Sequence, residues 1–273
     1  MFRMIHITAI AACLALSLPA TGGATDARMA SDWAGIPEAE VRLIAGRAEG
    51  QGEMLGLQFV MAPKWKVYWR SPGDAGFPPR PDWTGSTGTT GMALEWPLPE
   101  RFIFYGLETY GYHDEIILPV RIDRSGGPVR IELALFYAAC AEICVPVTAD
   151  LSLELPEGEW PENRHGKAIA LALLSAPLST EGSLVIETAI QKDDELHIRM
   201  RTPVTMQQPD LIVEGPLDTV FGSPECQSAG TGTQCIVPVT GTSDGTILAG
   251  QQLRLTLFGV GYAAETEITV SGR

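Results

Sequence analysis

Two long stretches of period-two alternation flank a pair of cysteines, and they constrain the fold more than any other feature of the chain. Val129, Ile131, Leu133, Leu135 and Tyr137 alternate with other residues, and so do Val147, Ala149, Leu151, Leu153 and Leu155. That period places one set of side chains on one face of a strand. Leu55, Leu57, Phe59 and Met61 repeat the pattern, as do Leu184 to Ile190, Leu196 to Met200 and Leu253 to Leu257. Turn chemistry separates the runs: Ser71-Pro72-Gly73-Asp74-Ala75-Gly76, residues 84–91, Ser125-Gly126-Gly127-Pro128 and Lys192-Asp193-Asp194. Glycine and proline number 29 and 20 among 273 residues, and only 19% are charged, which fits a turn-rich, mostly β protein with a real core. One good helix is expected over residues 161–175, with Pro161 in its first turn and Pro177 beyond its end. The expected architecture is a β-sandwich over residues 31–157 and a second β-sandwich-like domain over residues 158–273, with the helix as connector or packing element.

Charge narrows the function. The chain has 19 Lys and Arg against 33 Asp and Glu, a formal charge of −14, with no basic cluster. That balance disfavours nucleic acid, whose affinity comes mostly from neutralised phosphates, and anionic membrane surfaces. Residues 1–24 have the layout of a secretory signal peptide: Arg3, an apolar stretch over residues 5–18, then Pro19 and small residues to Ala24. Ile10-Ala11-Ala12-Cys13 suggests a rival lipoprotein box, although apolar residues continue past Cys13. Past the signal, no run is long and apolar enough for a membrane span, so an integral membrane protein is not expected. Cleavage near Ala24 removes Arg3 and Cys13, taking the formal charge to −15 and leaving Cys140, Cys144, Cys226 and Cys235. Four cysteines in an exported chain allow two disulfides.

The two cysteine pairs differ in kind. Cys140 and Cys144 enclose a loop too short to be an efficient staple, about 2 kcal/mol in the chain-entropy model. Extended residues four apart lie about 13 Å from each other, so a bond between them demands a sharp turn, and strained disulfides are the easily reduced ones. A redox pair, a structural bond and a soft-metal site such as copper(I) all remain open for these residues. Cys226 and Cys235 bracket a small polar insert that reads as a hairpin loop, and a structural disulfide worth about 2.7 kcal/mol is expected there. No GxSxG, HExxH or P-loop motif is present, and no cofactor or metal is called for.

Several runs together resemble the N-terminal periplasmic domain of the DsbD/ScsB disulfide-reductase family. They are Glu95-Trp96-Pro97-Leu98-Pro99-Glu100-Arg101, Phe104-Tyr105-Gly106, Tyr110-Gly111-Tyr112, Ile117-Leu118-Pro119-Val120 and Tyr137 through Cys140-Ala141-Glu142 to Cys144 and Pro146. Trp65-Lys66-Val67-Tyr68-Trp69-Arg70-Ser71-Pro72-Gly73-Asp74 with Gly76 is similar to the ScsB-like branch. The resemblance implies an immunoglobulin-like sandwich whose Cys140–Cys144 pair passes electrons. Cys144 would attack and Cys140 would resolve. Phe104 and Tyr105 would cap the sulfurs, with Tyr68 and Trp69 lining the same pocket. The implied partners are a membrane-embedded thiol reductase as donor and periplasmic thioredoxin-like proteins as clients.

Three departures from the family pattern matter. The cysteines are closer together than usual, and Phe102 and Ile103 stand where acidic residues precede the cap. Carboxylate tuning would then fall to Glu108, Asp114 or Glu142. The membrane and thioredoxin-like domains of full-length members do not follow, so electrons are expected from a separate protein. His113 is a further candidate neighbour of the sulfurs. The competing functions are a copper-handling protein using the same cysteines with methionine ligands, and a non-catalytic β-sandwich binding module.

Overall fold

The structure is a computed structural model and describes residues 28–104, 106–216, 219–241 and 247–271. The expected signal peptide at 1–24, Cys13 and Tyr105 lie outside the described residues. The alternating runs form strands whose inward faces make two main cores, one in each sandwich. Strands β1 (Ala34–Ile36), β2 (Ala39–Ala48), β3 (Gly52–Met61), β9 (Glu115–Arg124) and β6 (Thr89–Leu94) make one antiparallel sheet in that order. The facing sheet runs β11 (Cys144–Leu155), β10 (Val129–Cys140), β4 (Lys66–Gly73), β8 (Leu107–His113) and β7 (Glu100–Phe104), with β5 (Arg80–Asp82) also paired to β10. Between the sheets, Phe59 meets Tyr137 edge to face at 5.3 Å, and the Tyr137 hydroxyl donates to the Ala39 carbonyl at 2.5 Å. The inward residues of β10 and β11 pair directly, Val129 with Leu155 through Tyr137 with Val147.

The helix α1 (Arg164–Leu174) lies on the outer face of the first sheet, where Ile169 packs with Ile44, Ala48, Met54 and Ile117. It starts later than Pro161, because Asn163 is the N-cap: its side chain accepts from the Gly166 N–H at 2.8 Å and donates to the Ala45 carbonyl at 3.0 Å. One side chain thus both caps the helix and ties it to β2.

Beyond the helix, β12 (Val185–Lys192), β13 (Glu195–Arg201), β17 (Gly232–Gly241) and β15 (Thr219–Phe221) form a sheet, with β16 (Glu225–Ala229) also on β17. It shares a second core with the sheet of β14 (Asp210–Glu214), β18 (Gln252–Gly259) and β19 (Tyr262–Thr269). The second sandwich meets the first through Ile212, which is buried in the first core. Around it stand polar links. Arg70 forks onto Glu214, with Nη2–Oε1 at 2.7 Å, and reaches Glu265 at 2.5 Å. Arg101 donates to Asp210 at 2.7 Å, and the Ser223 hydroxyl donates to Glu108 at 2.5 Å. Burial alone would lower the Arg70 pKa, but its bonds to the two carboxylates outweigh this and hold it raised.

Removing Arg70 would leave Glu214 and Glu265 facing each other in a partly buried seam. Arg70→Ala is expected to lower stability by roughly 1–3 kcal/mol, between the values for exposed and buried pairs. Urea unfolding checks this, and an unchanged midpoint would show that the seam does not depend on the charge.

Candidate functional site

The β10–β11 ladder ends with Cys140 directly opposite Cys144. Only Ala141, Glu142 and Ile143 separate them, and the Ala141 N–H donates back to the Ile143 carbonyl at 3.0 Å. The two cysteines form a disulfide with their Cα atoms 4.1 Å apart. Both stand on the outer face of the sheet, opposite the core side chains of Tyr137, Ala139 and Val147. Their environments are unequal: Cys140 is fully buried, whereas Cys144 is exposed at the edge strand.

Strand β4 supplies the neighbours. It pairs with β10 through Cys140 and Lys66, so Lys66 and Tyr68 share the outer face with the sulfurs. Tyr68 is fully buried with Ala138 and Cys140, and its hydroxyl lies 3.6 Å from Cys144 Sγ. Burial pushes the Tyr68 pKa up, which keeps the phenol protonated and able to donate. The ring is covered by the loop after β4. Gly76 sits there at φ +113°, and a Cβ on it would meet the Tyr68 ring at 2.4 Å. Lys66 is almost fully buried: its ammonium lies 5.7 Å from the Tyr68 ring centroid and 4.8 Å from that of Phe102, and it donates to Thr109 Oγ1 at 3.2 Å. Burial lowers the Lys66 pKa.

Residues 36–156 match the family model described as thiol:disulfide interchange protein DsbD, N-terminal. The match supports a DsbD-like N-terminal domain over these residues. The crystal structure of the N-terminal periplasmic domain of ScsB from Proteus mirabilis is similar in fold, with a TM-score of 0.71 at 24% identity over 90% of this chain and 100% of that one. Coverage of that extent carries the likeness through both sandwiches, the first of them immunoglobulin-like. Residues 176–273 match a domain of unknown function (DUF8393). No curated protein matches the chain.

Within the matched region, Cys140, Cys144 and Tyr68 are brought together, and Trp69 is not. Adjacent strand residues face opposite ways, so Trp69 joins Val67 in the core and meets Tyr110 at 6.3 Å. Phe104 ends β7 and pairs with Leu107 across a tight turn in which Gly106 has φ +80°. Its side chain, like Tyr105, lies outside the described residues. Glu108 is engaged by Arg101, Tyr110 and Ser223 at the seam, away from the sulfurs. His113, cross-strand from Lys66, is held by Asp114 at 2.7 Å and Glu100 at 2.9 Å, and the Asp114 hydrogen bond chiefly raises its pKa. Glu142 is exposed in the hairpin loop.

Sequence reasoning missed Lys66, Phe102 and Thr109 as neighbours. The alternation of Lys66 with Tyr68 on one strand was the available signal. Cys226 and Cys235 form the second disulfide, directly cross-strand between β16 and β17. Among the described residues, no three His, Cys, Asp or Glu side chains group as a metal site. The buried methionines Met29, Met54, Met61, Met200 and Met206 pack in the larger cores and not with Cys140. Among the described residues, no helix is long and apolar enough to cross a membrane.

Gly76→Ala is expected to lower stability by about 1–3 kcal/mol, because the added methyl must displace the Tyr68 ring. Gly50→Ala is the comparison: it also replaces a positive-φ glycine, at +72°, but nothing lies within 4 Å of the new Cβ. Denaturant unfolding should place Gly76→Ala clearly below Gly50→Ala, and equal losses would mean that the ring contact carries no weight.

Proposed function

We propose that this is an exported thiol-disulfide interchange protein of the periplasm, and that its Cys140–Cys144 pair carries electrons from a membrane-embedded reductase to thioredoxin-like clients. The observation that carries this reading is the asymmetry of the disulfide. One cysteine is exposed, with its sulfur beside a tyrosine hydroxyl, its partner is buried, and both sit on a DsbD-like N-terminal domain. In the reduced protein the Cys144 thiolate attacks one sulfur of a client disulfide. The client S–S bond breaks, and the leaving client thiolate takes up a proton. Cys140, losing its own proton, then attacks Cys144 in the mixed disulfide. The Cys140–Cys144 bond reforms, and the client leaves as a dithiol that has gained two electrons and two protons. The membrane reductase returns the pair to its dithiol.

Thiolate attack is governed by the fraction of thiolate and by access. The Tyr68 hydroxyl is positioned to donate to the Cys144 anion once it forms, which favours the charged form. The aromatic tip of the β7–β8 turn, Phe104 and Tyr105, is assigned the cap over the sulfurs. The second disulfide, Cys226–Cys235, is assigned a structural role, and the second domain is taken to begin near residue 158. Residues 1–24 are assigned as the export signal.

The pair's reduction potential and its clients test this reading. A potential above about −300 mV is expected, since structural bonds in secreted proteins lie below that. Cys140→Ser should accumulate mixed disulfides with a thioredoxin-like protein through Cys144, identified by peptide mass spectrometry. A potential well below −300 mV, or client reduction that survives loss of both cysteines, would overturn the proposal.

A further inference from the structure

The candidate site contains a charge that the disulfide chemistry as written does not use. Lys66 is nearly buried, on the same sheet face as Cys140 and directly cross-strand from it. Its ammonium lies against the Phe102 ring at 4.8 Å and near the Tyr68 ring at 5.7 Å, with Thr109 Oγ1 at 3.2 Å. The fold places this ammonium a single aromatic ring from Cys144 Sγ, since the Tyr68 hydroxyl reaches that sulfur at 3.6 Å. The oxidised pair carries no charge. A reduced pair with Cys144 ionised carries one negative charge, and the low-dielectric interior strengthens its attraction to a nearby cation.

We propose that Lys66 is a positioning charge for disulfide exchange, biasing Cys144 toward its thiolate through the Tyr68 hydroxyl that lies 3.6 Å from the sulfur. This rests on the thiol-disulfide reading of the site and names the residue that makes it reactive. The ammonium beside the phenol ring draws electron density from the hydroxyl oxygen, so the O–H carries more positive charge on its hydrogen and becomes a better donor. The donated hydrogen bond then stabilises the sulfur anion. Burial raises the Tyr68 pKa, so the hydroxyl keeps the proton it must offer. Among the described residues, three other groups near Lys66 do not supply this bias. Thr109 is neutral, Cys140 is the resolving sulfur, and His113 on the neighbouring strand is held by Glu100 and Asp114. Glu142, in the exposed hairpin loop, is an anion and opposes a thiolate.

The test is the pH profile of Cys144 alkylation by iodoacetamide in the reduced protein, read for that peptide by mass spectrometry. The wild-type midpoint is expected below the value of about 8.5 for a free thiol. Lys66→Met, which keeps the length and loses the charge, should raise the midpoint by about one unit, within the range for loss of an opposite charge. Alkylation near neutral pH should then slow by up to about tenfold. Lys66→Arg should restore most of the shift. Tyr68→Phe should raise the midpoint and remove most of the further effect of Lys66→Met. His113→Gln should leave the midpoint in place.

A midpoint that does not move in folded Lys66→Met, or that moves as far in Lys66→Arg or His113→Gln, would overturn the proposal. If Lys66→Met does not fold, a wild-type midpoint at or above about 8.5 overturns it without any variant. The measurement uses the protein alone, so failure to find a thioredoxin-like client would sink the exchange reading while leaving the Lys66 result standing.

Discussion

The candidate site depends on the register of one ladder. Strands β10 and β11 pair over their whole length, and the inward pairs, from Val129 with Leu155 to Tyr137 with Val147, are apolar on both sides. A slip of one residue would turn these side chains out of the core, and each buried aliphatic or aromatic side chain is worth about 1.5–3 kcal/mol. The outward pairs follow from the same choice: Arg130 meets Glu154 at 2.7 Å, and the last outward pair is Cys140 with Cys144. The core therefore does the work of bringing the two sulfurs together. The bond needs no separate device beyond a three-residue turn, and β11 is an edge strand, where Pro146 is tolerated and Cys144 is exposed.

Strand β4 carries three tasks along eight residues. Lys66 and Tyr68 face the disulfide, Val67 and Trp69 face the core, and Arg70 reaches the second sandwich. The third task is possible because the β4–β8 ladder is interrupted between Tyr68 and Gly73. Arg70 lies inside that interruption, stacked on Trp69 at 4.4 Å, with its guanidinium directed to Glu214 and Glu265. The adjacent loop folds back so that Gly76 touches Tyr68. The seam between the sandwiches and the cover of the site are thus built from consecutive residues of one segment. This gives the second sandwich a physical connection to the segment that lines the cysteines.

The legible parts of the sequence were those with long local periodicity. The runs at Leu55, Val129, Val147 and Leu196 became strands β3, β10, β11 and β13, and the mostly β sandwich class follows from them. The helix was legible in kind but not at its start, because Asn163 caps it through a contact with Ala45 that only the fold supplies. Strands β14, β15 and β16 are three to five residues long, too short for alternation to register. At the site, the cysteines were visible as a motif, whereas Lys66 is 74 positions from Cys140 and becomes its neighbour only through sheet pairing. Grouping Tyr68 with Trp69 in one pocket ignored the strand period, which assigns neighbouring residues to opposite faces.

The two disulfides allow the site to be judged against an internal comparison. Both join residues directly opposite in an antiparallel pair, with Cα atoms 4.1 Å apart, so backbone placement does not distinguish them. Their surroundings do. Cys235 is fully buried among the apolar side chains of the second core, with Cys226 packed against the same cluster. Cys144 is an exposed residue with a hydroxyl within reach of its sulfur and a buried ammonium one ring away. Only the second environment combines access for a partner with groups that favour a sulfur anion, and exchange requires both. The difference in chemistry assigned to the two pairs therefore rests on what surrounds the sulfurs, and β4 supplies most of it.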